Sequence, residues 1–180
     1  MFCVAAACYL GLNFGYSFGL KNSFILDVII VALGFVLRVE AGAMLAGVTP
    51  SAWLIICTGL LGLFLAIAKR RNDVIHAVGK GRQKCLDGYN KIFLDNCLSI
   101  SLGALLVCYT IYTTDSAVME RLGTNRLYLT IPFVLTGIMR YLQITQIEER
   151  SESPIWIIMS DRFIVSTVVG WTLVFGLLIY

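Results

Sequence analysis

Charge is scarce in this sequence. Only 14 lysines and arginines and 11 aspartates and glutamates occur in 180 residues, with three prolines and a single histidine, His76. One histidine excludes a histidine-cluster metal centre within the chain. Six cysteines (Cys3, Cys8, Cys57, Cys85, Cys97 and Cys108) include no C-x-x-C pair, so they read as small apolar residues kept reduced rather than as a zinc or redox motif. No P-loop, no G-x-G-x-x-G turn and no catalytic-triad order is present, which removes the commonest nucleotide-binding and nucleophilic classes. The first apolar stretch has no basic residue ahead of it and no clear cleavage site, unlike a secretory signal.

What is there is apolar. Hydrophobic residues make up 58% of the chain and the mean hydropathy is +0.83, more than a soluble domain of this length can bury, so the solvent must be lipid. A membrane-spanning helix needs about 20 mainly apolar residues. Six segments qualify, at roughly 1–20, 23–47, 51–68, 92–114, 127–147 and 163–180. A lipid-immersed backbone must satisfy its own hydrogen bonds, and these segments are too long for barrel strands. The expected fold class is all-α, a polytopic transmembrane helix bundle, with residues 1–180 forming one transmembrane domain. Met1 abuts the first apolar run directly, so the chain is expected to begin part-way through a longer protein and to be inactive alone.

The connections differ in charge. The third, from Lys69 to Lys91, carries Lys69, Arg70, Arg71, Lys80, Arg82, Lys84 and Lys91 against Asp73 and Asp87. Lysine and arginine in short loops mark the cytoplasmic side, which puts this loop there and, by parity, the first and fifth beside it. Three polar stretches then share one face: "YSFGLK" (Tyr16–Lys21), "KRRND" (Lys69–Asp73) and "SDR" (Ser160–Arg162).

Orientation explains a basic loop, but not charges inside helices. Asp27 and Arg38 are eleven residues apart in the second segment. Eleven steps of about 100° nearly close three turns, so Asp27, Val31, Gly34 and Arg38 fall on one stripe. The rise between the two charges is about 16 Å, too far for a direct salt bridge. Each needs another partner or water, because an ionised side chain at mid-bilayer costs at least about 2.5–3.5 kcal/mol. Glu40, Asp95 and Arg140 are further charges in apolar segments. Helix pairing or snorkelling competes with a ligand role for all of them, more so for Asp95 and Arg140, which lie nearer helix ends. Gly34, Gly42, Gly59, Gly62 and Gly103 are expected to permit close helix contacts.

A face bearing Lys21, Lys69, Arg70 and Arg71 suits a polyanion, since arginine forks bind phosphate oxygens in bidentate fashion and lysine adds a compact charge. A site half within the membrane points to a lipid as second substrate. From the residues alone the reading ends at a membrane protein with a cytoplasmic anion site that handles a lipid phosphate.

A resemblance carries it further. The stretch "YSFGLKNSFILDVIIVALGFVLRVEAG", followed by "SAWL", "LFLAIAKRRNDV" and the late "RYL" and "SDR", resembles the decaprenyl-phosphate phosphoribosyltransferases of the UbiA superfamily of intramembrane prenyltransferases. The similarity implies about nine helices, of which these six would be the C-terminal part. It also implies a magnesium-binding N-D-x-x-D motif, which has no match here, so the metal ligands stay unknown. The implied activity is transfer of 5-phosphoribose from phosphoribosyl diphosphate to a polyprenyl (decaprenyl) phosphate for cell-wall biosynthesis, with magnesium as cofactor. The resemblance assigns Asp27 and Arg38 to the catalytic group, and Tyr16, Lys21, Lys69, Arg70, Arg71 and Asp73 to substrate binding. The implied location is a bacterial-type cell membrane with the active face cytoplasmic and no nucleic-acid partner. Two alternatives stay open: prenyl transfer to an aromatic acceptor, which needs a second aspartate-rich motif, and a non-catalytic transporter or scaffold, which is expected to show an inverted repeat.

Overall fold

The computed structural model describes residues 10, 11, 14, 25–77, 89–148 and 153–179. Every regular element among them is helical. In chain order these are α1 (Leu26–Ala46), α2 (Ala52–Ala77), α3 (Lys91–Thr114), α4 (Ser116–Leu122), a 3-10 turn (Leu127–Thr130), α5 (Ile131–Gln146), α6 (Pro154–Ser160) and α7 (Arg162–Ile179). Five stretches are long and apolar enough to cross a membrane: Leu26–Ala46, Ala52–His76, Lys91–Thr114, Leu127–Gln146 and Arg162–Ile179. They match five of the six expected segments. The first segment, 1–20, lies outside the described residues apart from Leu10, Gly11 and Phe14, all helical. Large apolar side chains such as Leu33, Leu61, Ile100, Val107, Leu173 and Leu177 are exposed on the spans, as expected of helices solvated by lipid.

Two expectations need correcting. The third segment does not stop at residue 68. Helix α2 continues to Ala77, so "KRRND" lies on its last turns and not in a loop. Lysine and arginine are good helix formers, and neither glycine nor proline intervenes before Gly79. The second correction concerns glycines. Gly59 and Gly62 do allow close approach: a Cβ on Gly62 would stand 3.0 Å from Phe35 Cδ2 and 3.2 Å from the Ala32 Cα, and one on Gly59 3.3 Å from Val36 Cγ2. Gly42 and Gly103 have nothing within 4 Å of a Cβ, so they mediate no such contact among the described residues.

The chain divides into two compact units, Met1–Ser101 and Leu102–Tyr180, with the boundary inside α3. In the first, α1 packs along α2 through those two glycines, and Phe64, Ala66, Ile67, Ala68, Leu94 and Leu98 are buried. In the second, α5 packs on α7, where Gly137 faces Thr167 and Gly170 faces the Phe133 ring. A short polar chain joins its elements. Trp171 Nε1 donates to the Tyr109 hydroxyl at 2.7 Å, that hydroxyl lies 2.6 Å from Thr130 Oγ1, and Thr130 Oγ1 donates to the Leu127 carbonyl. Short helices end the loops by ordinary capping: the Asp115 side chain accepts from Ala117 and Val118 N–H at the start of α4, and Gly123 closes it at φ 69°.

Candidate functional site

The first unit holds a carboxylate buried at the start of a membrane span. Asp27 is only 1% exposed. Burying an ion is tolerable when it is both paired and hydrogen-bonded, and Asp27 meets both conditions. Arg70 Nε donates to Oδ2 at 2.5 Å, the Tyr89 hydroxyl donates to Oδ1 at 2.6 Å, and the Val28 N–H donates to Oδ1 at 2.8 Å. Arg70 also donates from Nη1 to Asp73 Oδ2 at 3.2 Å, an i,i+3 pair on the same helix face. Asp27 thus fixes the Arg70 guanidinium from below while Asp73, with a side chain 35% exposed, flanks it toward solvent.

Tyr89 completes this centre. Its hydroxyl accepts from the Ile25 N–H at 2.7 Å while donating to Asp27. Ile25 sits at φ 67°, a conformation that β-branched residues rarely adopt, and the Tyr89 bond anchors the backbone at that point. Burial, reinforced by the hydrogen bond to the Asp27 carboxylate, pushes the Tyr89 phenol from 10.0 up to about 12. It therefore stays protonated and remains a donor.

A second ion pair lies one residue along α2. Arg71 Nε donates to Asp95 Oδ1 at 2.5 Å, and Arg71 is buried. Asn72, the next residue, has a side-chain oxygen that is buried with no hydrogen-bond partner among the described residues. Lys69 is exposed. The three cations Lys69, Arg70 and Arg71 are balanced by Asp27, Asp73 and Asp95, three against three. A polyanion held here needs further positive charge.

The other expected site residues stand as follows. Arg38 is exposed on α1, with its guanidinium carbon 5.2 Å from the centroid of the Phe35 ring. Tyr16 and Lys21 lie outside the described residues. The structure therefore brings Asp27, Arg70 and Asp73 together, with Lys69 exposed beside them and Arg71 turned to another helix. Tyr89 and the pairing of Asp95 with Arg71 escaped the sequence reading. Only the second had a usable signal: Arg71 must point about 100° away from Arg70, so it needs its own acid.

Magnesium, implied by the resemblance, is not accommodated by these groups. Among the described residues there is no cluster of three or more metal-ligating side chains, and Asp27 and Asp95 are engaged by arginines. No step is therefore derived through it.

The second unit carries its own charge cluster. Arg140 donates to Asp161 Oδ2 from Nη2 at 2.9 Å, and from Nη1 to Glu148 Oε1 at 2.8 Å and Gln143 Oε1 at 3.1 Å. Asp161 Oδ1 also accepts the Ile164 N–H at the start of α7. The Arg140 hydrogen bond holds the Asp161 carboxyl below its ordinary value, against the opposing effect of burial.

Fold and site together define an all-α polytopic membrane protein with carboxylate–arginine pairs buried where two spans meet. No family model matches the chain. Among curated proteins it is similar to the decaprenyl-phosphate phosphoribosyltransferase of Mycolicibacterium smegmatis, 29% identical over 147 residues, covering 77% of this chain and 46% of that one. It is also similar to the enzyme of that name from Corynebacterium glutamicum, 26% identical over 184 residues (98% of this chain, 55% of that one), and to that from Mycobacterium tuberculosis, 26% over 138 residues (74% and 44%). The chain spans about half the length of these curated relatives. The resemblance read from the motifs is the one these similarities show.

Proposed function

We propose that this chain is part of a membrane glycosyltransferase that moves 5-phosphoribose from phosphoribosyl diphosphate to a polyprenyl phosphate. The observation that carries the reading is the Arg70 guanidinium, fixed by buried Asp27, which Tyr89 in turn holds, at the polar end of a span in a chain similar to enzymes of that name. In the reaction a phosphate oxygen of the lipid forms a bond to C1 of the ribose. The C1–oxygen bond to diphosphate breaks, and diphosphate leaves with the bonding electrons. No oxidation or covalent enzyme intermediate is involved.

The side chains contribute by charge and position. Lys69 and Arg70 bind the diphosphate, so the charge that grows on the leaving group is stabilised by groups already in place. Tyr16 and Lys21 are assigned to the same donor side, with Asp73 at its edge. Asp27 orients Arg70, and Arg38 lies deeper in α1, toward the lipid acceptor. The excess positive charge that the balanced cluster lacks is assigned to Lys21. The active face is cytoplasmic, following the basic stretch at the end of α2.

Membranes containing the protein at full length, given phosphoribosyl diphosphate labelled in the ribose and a polyprenyl phosphate, should yield labelled lipid that depends on both substrates. Prenylation of an aromatic acceptor with no labelled lipid would replace this reading by the prenyltransferase alternative.

A further inference from the structure

We propose that Arg71 and Asp95 are positioning residues. Their ion pair sets the last turns of α2 against α3 and so fixes where Arg70 presents its guanidinium. The proposal rests on the anion-binding role given to Arg70 above. Neighbouring residues on a helix point about 100° apart, so Arg70 and Arg71 cannot address one ligand from the same face. Arg70 turns to α1 and Asp27, while Arg71 turns to α3 and Asp95. The Arg71 side chain is 3% exposed, against 15% for Arg70. A guanidinium at that depth, already engaged by a carboxylate, meets a soluble polyanion only by leaving its place.

The start of α3 is tethered twice. Tyr89, two residues before α3, is tied to Asp27 of α1, and Asp95, in the second turn of α3, is tied to Arg71 of α2. Asn90 caps the helix between these two ties, its side-chain oxygen accepting from the Phe93 N–H. Removing the Asp95 charge leaves Arg71 buried without that counter-charge. The relief available is to move the guanidinium toward water, which rotates the last turns of α2 and carries Arg70 with them. A displacement of about 1 Å in a binding group costs on the order of a hundredfold.

The test uses the full chain in detergent, with inorganic diphosphate as probe and calorimetry to read its affinity. Asp95→Asn should weaken diphosphate binding by about ten- to a hundredfold, and the exchanged pair Arg71→Asp with Asp95→Arg should recover most of the loss. If Arg71 gripped the anion itself, the exchange would put a carboxylate against the ligand and binding would stay weak, which overturns the proposal. A merely structural pair would lower the unfolding midpoint of Asp95→Asn while the folded fraction bound diphosphate as wild type does, which overturns it equally. Where the exchanged pair fails to fold, Asp95→Glu keeps the charge and should retain affinity; loss there has the same force. Diphosphate binding without phosphoribosyl transfer would refute the proposed reaction and leave the positioning role standing. A wild-type chain that binds no diphosphate overturns both.

Discussion

Replacing Asp27 by alanine removes the acceptor shared by Arg70, Tyr89 and Val28. Breaking a buried ion pair by deleting one partner costs about 3–5 kcal/mol. Arg70 keeps Asp73 at 3.2 Å and is 15% exposed, so the lower end applies, about 3 kcal/mol. Asp27→Asn retains size and an oxygen for the Tyr89 hydroxyl but loses the charge, which places it at about 1.5–3 kcal/mol. The loss should shrink again in Asp27→Ala combined with Arg70→Met, because replacing both charges by apolar groups avoids an uncompensated one. Reversible unfolding in mixed detergent micelles, read by circular dichroism, measures all three. Asp27→Ala costing less than about 1 kcal/mol, or a double variant worse than the single, would refute the account of how this carboxylate is held.

Tyr89 makes a pH-dependent contribution. Its folded pKa of about 12 lies above the ordinary 10.0, so the folded state binds the proton more tightly. That stabilisation is full below about pH 10 and is lost as pH rises toward 12; Tyr89→Phe should flatten this alkaline loss in unfolding midpoints. Gly62→Ala, whose new Cβ would meet Phe35 and Ala32, should destabilise by about 1–3 kcal/mol, whereas Gly103→Ala, in open space, should be neutral or stabilise by up to about 1 kcal/mol. Asn72→Leu removes a buried oxygen that has no partner among the described residues, so the unfolding midpoint should hold or rise; a clear fall would mean that the amide is structurally engaged.

The spans were legible because long apolar runs have few other solutions in lipid. The end of α2 was not, because hydropathy falls at Lys69 while helix propensity does not, and the helix runs on to Ala77. Asp27 stood out as a charge within an apolar stretch, and its need for a partner could be stated. The identity of that partner could not, since it depends on how α1 and α2 slide along Gly59 and Gly62. Tyr89 was invisible for a similar reason. A lone tyrosine after a basic stretch carries no pattern, and only the packed helices bring its hydroxyl to Asp27. Asp95 was seen as a charge, but its pairing with Arg71 follows from the turn of α2 toward α3.

The most direct test of the central claim is the initial rate of phosphoribose transfer to polyprenyl phosphate by Arg70→Lys at subsaturating donor, compared with wild type. Lysine keeps the charge and loses the planar fork that Asp27 orients. A lost hydrogen bond to a charged group corresponds to about 1.5–3 kcal/mol, or roughly ten- to a hundredfold in rate. Arg126→Lys, exposed in the second unit, serves as control and should match wild type. With expression and membrane insertion equal, a loss of that size for Arg70→Lys is the predicted result. Equal rates for Arg70→Lys and wild type would contradict the account and leave the basic end of α2 as an orientation signal alone.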